Sequence, residues 1–377
     1  MPWKTITPMS LRLEFVQLAI ADGANIRSLC RRYEISAMTA YKWVHRFQEG
    51  GVAALEDRSR RPLMSPGKIA PQLEQVIIDL RHRHPTWGGR KLRQRLLVMS
   101  YKHLPSPSTI TAVLRRQGLL DQAHQRPTRD LQRFQAPAPN ALWQMDFKGD
   151  FPLIIGRCYP FTVLDDHSRF SLGLIACPNQ RLETVRHHLG LVFHRYGLPQ
   201  RILADNGGPW GSCGQDGYTQ LELWLIRLGI EVSHSRVCHP QTLGKEERFH
   251  RTLQADLLSS RSFTDLCHCQ DEFNLWRDVY NLERPHEALQ MAVPASRYQP
   301  SVRIFPQVLP PVEYPSGDLV RKVQAEGRFS FRNRLFKVGK AFVGLPIALR
   351  PTTTDGLYDV YFCWKRVAQI NLKDHIA

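Results

Sequence analysis

Three acidic residues, Asp146, Asp205 and Glu247, lie in segments suited to metal-dependent chemistry. Trp143-Gln-Met-Asp-Phe-Lys alternates apolar and polar residues as a half-buried strand does, and Asp146 shares the polar face with Gln144 and Lys148. Arg201-Ile-Leu-Ala reads as a buried strand ending abruptly at Asp205-Asn-Gly-Gly-Pro. Asp205 thus falls at a strand's carboxyl end, where open α/β sheets carry their sites. Glu247 falls in the first turns of a helix that begins at Gly244. The gaps are long: 58 residues separate the first two acids and 41 the last two. Hard divalent cations take oxygen ligands, and three carboxylates can hold two Mg²⁺ ions about 3.5–4 Å apart, one ion for the attacking oxygen and one for the leaving oxygen. Without cations such a cluster repels itself, so its protonation is coupled to metal binding.

These acids need a sheet and a helix to gather them. After the first strand, Phe161-Thr-Val-Leu-Asp and Phe170-Ser-Leu-Gly-Leu-Ile-Ala predict two more strands around an Asp166-His-Ser-Arg turn. A helix over 182–196, the strand at 201, a helix over 221–228, a short strand over 230–233 and the helix from Gly244 complete a mixed α/β sheet. Asp165 and Asp166 read as a polar turn, Asn206 and Gly207 as shaping the loop after Asp205, and Cys267-His-Cys269 as ordinary helix. Phe273, Trp276 and Tyr280 stand at core-packing spacing.

Upstream, the charge is strongly uneven. The chain carries 51 Lys and Arg against 34 Asp and Glu; residues 1–135 hold 23 against 10, the remainder 28 against 24. A basic N-terminal third predicts a nucleic-acid surface. Ile26, Leu29, Cys30 and Tyr33 form one helical face, and Ser36 caps a second helix whose apolar side is Ala40, Val44 and Phe47. That pattern predicts a helix-turn-helix, with Thr39, Lys42, His45 and Arg46 turned toward DNA. A second such module follows, with the stripe Ile69, Leu73, Val76, Ile77 and Leu80, and a helix capped by Ser106, closing at Gly118 and bearing Arg115 and Arg116. Arg58, Arg60 and Arg61 between the modules are candidates to follow a minor groove. Lys148, Lys245, Arg248 and Arg251 are candidate phosphate contacts near the acids.

The organisation expected is a helix-turn-helix domain over 1–56, a basic linker 57–67, a second helix-turn-helix domain over 68–122 and a linker 123–139. The α/β core follows over 140–300, then a Pro-rich linker 301–316 and a small β-barrel over 317–377. Hydrophobic residues at 42% and charged residues at 23% allow real cores. No apolar run reaches the roughly 20 residues of a membrane span, and Met-Pro-Trp-Lys opens no signal peptide, so a cytoplasmic, nucleoid-associated protein is expected. Eight scattered cysteines suit free thiols.

Taken together and in order, Trp143-Gln-Met-Asp-Phe, Leu203-Ala-Asp-Asn-Gly and His239-Pro-Gln-Thr-Leu-Gly-Lys-Glu-Glu-Arg-Phe-His-Arg resemble the catalytic core of retroviral-type integrases and bacterial insertion-sequence DDE transposases. The resemblance spans roughly 140–300 and implies a ribonuclease-H-like fold with Asp146, Asp205 and Glu247 as both catalytic and metal-binding acids. Its Gly-x-x-acid-basic pattern selects Glu247, before Arg248, over the adjacent Glu246. The resemblance implies two Mg²⁺ ions, with Mn²⁺ as substitute. It also implies double-stranded DNA partners, namely the element's inverted-repeat ends and a target, and a homodimer or homotetramer to join two ends. Two departures stand out: the second gap exceeds the family's commonest spacing, with the surplus assigned to Gly211–Gly217, and no His-His-Cys-Cys zinc module precedes the core. The expected function is end cleavage followed by strand transfer; the alternatives are an inactive DNA-binding repressor and a nuclease without strand transfer.

Overall fold

The structure is a computed structural model that describes residues 7–59, 69–120, 134–211, 217–234 and 244–373. It divides into two units, Met1–Lys68 and Ile69–Ala377.

In the first unit, helices α1 (Pro8–Ala19), α2 (Ile26–Arg32) and α3 (Ala37–Gly50) each begin at a side chain that accepts a backbone N–H: Thr7, Asn25 and Ser36. Phe15, Val16, Cys30, Ala40, Trp43 and Leu55 are buried between them, so the expected helical turn motif is present. Trp43 is roofed by cations, with the guanidinium of Arg12 4.1 Å and that of Arg46 5.0 Å from the ring centre.

The second unit opens with α4 (Pro71–Arg83), α5 (Gly89–Val98) and α6 (Pro107–Arg116) around Ile77, Leu80, Trp87, Leu92, Leu96 and Ile110. Ser106 caps α6, and Gly118 takes the left-handed conformation (φ +67°) expected of a helix stop. Gly89 is required by packing: a β-carbon there would lie 2.4 Å from the Pro107 carbonyl oxygen. This module is docked on the α/β core through Arg95–Glu283 (2.6 Å) and Arg90–Glu287 (3.7 Å), and through a hydrogen bond from Thr86 to Asp256.

The core sheet runs β4 (Ser171–Cys177), β3 (Arg157–Asp165), β1 (Leu142–Phe147), β5 (Arg201–Ala204), β6 (Glu231–His234), with the short β2 (Phe151–Pro152) also paired to β3. β1 and β4 are antiparallel to β3; β5 is parallel to β1, and β6 to β5. The sheet is covered on both faces. Trp143 and Met145 join Phe161, Val163 and Ile202 under α7 (Leu182–Tyr196) and α8 (Gln220–Arg227). On the opposite face Leu164 and Leu174 pack with Phe249, Leu253, Phe273 and Trp276 of α9 (Gly244–Leu253) and α10 (Leu266–Asp278). Alternation along β1 therefore sends Asp146 to the α9 face, as its place beside Gln144 required.

Residues 301–316 are not a free spacer. Arg303 donates to the carbonyls of Pro199, Leu228 and Gly229, while Phe305 and Leu309 pack against the core. Beyond them, β10 (Pro346–Pro351) lies between β7 (Leu319–Lys322) and β11 (Leu357–Phe362), with β12 (Lys365–Asn371) at the edge. β8 (Arg328–Phe331) and β9 (Arg334–Lys337) form a separate hairpin. The strands share one core, yet among the described residues their ladders stay open rather than closing as the expected barrel. Between β7 and β8 a 3₁₀ turn at Ala325–Gly327 interrupts the chain, and a β-carbon at Gly327 would meet the Gly339 backbone at 2.2 Å. Leu223 and Ile226 of α8 belong to this same core, and the Trp364 indole donates to the Ile226 carbonyl at 2.8 Å. Among the described residues no helix is long and apolar enough to cross a membrane.

Candidate active site

Asp146 and Asp205 are carried to neighbouring positions by the parallel pairing of β1 with β5, whose register sets Trp143 opposite Ile202 and Gln144 opposite Leu203. Each is sparsely hydrogen-bonded. Among the described residues Asp146 Oδ1 accepts only its neighbour's N–H, from Phe147 at 2.8 Å; Asp205 Oδ1 accepts from Gly207 at 3.0 Å. Burial, then the charge of Asp205, pushes the Asp146 carboxyl up to about 6. Two hard oxygen donors that repel each other fit a divalent cation, which would neutralise them. Among the described residues, however, no three His, Cys, Asp or Glu side chains are arranged to hold a metal ion.

The reason is the third acid. Glu247 was expected to converge with the aspartates; it is instead turned to solvent, 65% exposed, and pairs with Arg251 at 3.1 Å one helical turn away. Glu246 takes the inward position. Its side chain is fully buried, Oε2 lies 3.1 Å from the Thr162 hydroxyl, and Oε1 has no partner. Burial and the nearby Asp146 hold its carboxyl well above the usual range. Thr162, opposite Asp146 in the β1–β3 register, also donates to the Asp146 carbonyl at 2.9 Å. His250, 2.9 Å from the Thr162 hydroxyl and 3.9 Å from Asp146 Oδ2, is pushed down to about 4 by burial and by Lys148, so it is neutral near pH 7. The sequence held a signal for this face: Phe249, Leu253 and Leu257 form an inward stripe, and Glu246 lies one turn before Phe249.

The other expected contacts are scattered over several elements. Lys148 donates to Gln254 at 2.6 Å on the lip of an open groove lined by Lys148, His250, Arg251 and Gln254. Arg248 is exposed on the same helix. Lys245 points elsewhere: it forms an ion pair with the buried Asp166 and ties the start of α9 to the β3–β4 turn. In the first unit Lys42 and His45 are exposed on α3 and Arg46 is half-buried on Trp43; Thr39 lies in the Ser36 cap. Arg58 is exposed, and Arg60 and Arg61 lie outside the described residues, as do 212–216 of the loop assigned the surplus spacing. Arg115 and Arg116 are exposed on α6, the latter paired with Glu74 at 3.1 Å.

Asp165 and Asp166 behave as the expected turn. Asp165 accepts from Asn140 and twice from Ser168, and Asp166 from Ala136, Gln144 and Lys245. Cys269 is buried against Cys158, and Phe273, Trp276 and Tyr280 are core residues.

Known families and proteins match along much of the chain. Residues 11–62 match a helix-turn-helix domain, 39–114 a homeodomain-like domain, and 136–240 and 228–294 two integrase core domain models. Residues 318–377 match the C-terminal domain of IS481 family transposases. An uncharacterized 39.2 kDa protein of insertion element IS476 from Xanthomonas euvesicatoria is 27% identical, over 65% of this chain and 69% of its own length. An uncharacterized 31.7 kDa protein of insertion element IS407 from Burkholderia multivorans is 25% identical over 42% of this chain; the match spans about half of that relative, 55% of its length. Among solved structures, the simian T-cell lymphotropic virus intasome aligns over 78% of this chain and 98% of its own, with 13% identity and a TM-score of 0.39. Matches to two helix-turn-helix-type domains, an integrase core and an IS481-type terminal domain in one chain, together with insertion-element relatives, support an insertion-sequence DDE transposase.

Proposed function

We propose that the chain binds the terminal inverted repeats of its element, cuts the element's ends, and joins them to target DNA at the site formed by Asp146, Asp205 and Glu247. The observation that carries this reading is the under-bonded pair Asp146 and Asp205, at adjacent strand ends beside a groove with basic lining. Asp146 and Asp205, completed by Glu247, would hold two Mg²⁺ ions, for which Mn²⁺ substitutes. When bound, the cations supply charge stabilisation to the attacking and leaving oxygens.

The choice of Glu247 follows from access and cost. The ligands must be shared with a DNA phosphate and water, and Glu246 is sealed from both. His250, which lies beside Asp146, stands about 40° from Glu246 and about 60° from Glu247 around the helix, so neither acid is on the far side of α9 from it. Turning Glu247 inward gives up an exposed i,i+4 pair worth only about 0.3–0.5 kcal/mol. Exposing Glu246 would mean unpacking the inner face of α9.

Lys148, Arg248 and Arg251 would hold the DNA backbone along the groove. Water first attacks the phosphodiester at each element end and frees a 3′-hydroxyl. That hydroxyl then attacks a target phosphodiester in line, so one P–O bond forms as another breaks and the leaving 3′-oxygen takes up a proton. Each transfer exchanges one ester for another, so no nucleotide triphosphate is consumed. Two ends must be brought together, which favours a dimer or tetramer.

The second reading, with Glu246 as third acid, rests on its position facing Asp146. Glu247→Gln and Glu246→Gln separate the two when full-length variants are assayed with Mg²⁺ on duplexes carrying the element's ends. Loss of cleavage in Glu247→Gln, with activity retained in Glu246→Gln, supports the proposal; the reverse pattern replaces the third acid. Cleavage surviving Asp205→Asn rejects the site altogether, and cleavage without joined products reassigns the protein as a nuclease.

A further inference from the structure

Among the described residues the β5–β6 register ends at Ala204 opposite His234, so Asp205 is the first residue beyond the ladder and its carbonyl has no strand partner there. His234 takes up that role with its side chain: Nδ1 lies 2.9 Å from the Asp205 carbonyl oxygen. Its other ring nitrogen, Nε2, lies 2.8 Å from Glu222 Oε1. A carbonyl and a carboxylate are both acceptors, so each ring nitrogen of His234 faces an acceptor. The Glu222 hydrogen bond raises the His234 proton affinity against the opposing effect of burial.

Glu222 is itself firmly placed. It is 95% buried, and Oε2 accepts the Thr219 N–H at 2.6 Å while Thr219 Oγ1 accepts the Glu222 N–H at 3.2 Å, a reciprocal cap at the start of α8. From the same helix, Leu223 and Ile226 are set in the core of the C-terminal domain. On the far side of Asp205, Gly207 donates to Oδ1; a side chain there would come within 3.1 Å of Oδ2. The acid is thus held from behind by His234 and in front by a residue that leaves its second oxygen uncrowded.

We infer that His234 and Glu222 are positioning residues for Asp205, transmitting the fixed placement of α8 to the carboxylate that would bind the cation. This rests on the proposed role of Asp205. A buried ion pair serving stability alone would make different predictions, because only a positioning pair should set metal affinity. Groups standing behind metal ligands typically change affinity or activity by about 10–100-fold when removed.

The test uses the full chain, calorimetric titration with Mn²⁺, and end cleavage across a range of Mn²⁺ concentrations. His234→Ala is expected to weaken Mn²⁺ binding by about 10–100-fold and to shift the cation requirement of cleavage in parallel, with duplex affinity unchanged. His234→Asn, whose amide can still donate to the Asp205 carbonyl but does not reach Glu222, should recover only part of the Mn²⁺ affinity, the remainder being the share that runs through Glu222. Asp205→Asn serves as reference and should lose both binding and cleavage. Unchanged Mn²⁺ affinity in folded His234→Ala, with Asp205→Asn inactive, overturns the inference and leaves the site standing. Equal losses in His234→Ala and His234→Asn, matched by equal losses in thermal stability, also overturn it in favour of a purely structural pair. Wild-type Mn²⁺ binding in Asp205→Asn removes the underlying reading and the inference with it.

Discussion

Two pairs of acids in the same sheet have opposite surroundings. Asp165 and Asp166 are fully buried, yet between them their oxygens collect donors from Asn140, Ser168, Ala136, Gln144 and Lys245. Asp146 and Asp205 are only half-buried but receive one backbone donor each and face one another. Charge removed from water demands partners, and a well-supplied carboxylate is a structural element. A carboxylate left short of donors next to another makes a pair that a divalent cation would neutralise. Hydrogen-bond supply, rather than burial or acidity, distinguishes the two pairs.

The sharpest way to break that contrast is substitution by amide. Asp146→Asn should lower end cleavage on the order of 10³-fold, in keeping with loss of a transition-state charge contact, while leaving the thermal midpoint at or above wild type because a repulsion is removed. A midpoint that fell sharply would class Asp146 with the structural acids. The structural pair should respond the other way. Asp166→Ala strands Lys245 and two donors in the interior, and breaking such a buried pair costs about 3–5 kcal/mol, read as a drop in the urea midpoint.

A smaller effect tests the proposed cation binding directly. Mn²⁺ at a hundredfold over its dissociation constant should stabilise the fold by about 2.7 kcal/mol, measured as a rise in unfolding temperature. Asp146→Asn should abolish that rise, and an unchanged rise would locate the cation elsewhere. The smallest change concerns the groove. Lys148→Ala or Arg251→Ala should weaken duplex binding without sequence preference and reduce the salt slope by about 1 each; Lys245→Ala, whose ammonium is committed to Asp166, should leave the slope unchanged.

Much of this was legible along the chain. Ser36 and Ser106 cap their helices because a short hydroxyl followed by apolar residues at helical spacing has few other uses. Asp146 faces α9 because strands alternate, and Asp205 ends its strand because Asn-Gly-Gly-Pro cannot continue one. The legible part stopped short of orientation. Glu246 and Glu247 are neighbours of the same chemistry, and the family-like spacing chose the outer one as the converging acid; packing sent Glu246 toward Asp146 because Phe249 and Leu253 dictate which side of α9 is inward. The expected barrel rested on strand spacing alone, which says nothing about whether the last ladder meets the first.

The sequence by itself determined the elements, the charge gradient and the placement of Asp146 and Asp205 on and after their strands, because periodicity, capping and chain termination act over a few residues. Tertiary structure alone decided the rest: which glutamate faces the aspartates, that Lys245 is neutralised by Asp166, and that His234 on one strand and Glu222 on a helix meet behind Asp205. Those outcomes depend on hydrogen bonds and burial between segments distant in the chain, and such contacts leave no period in the sequence for a reader to find.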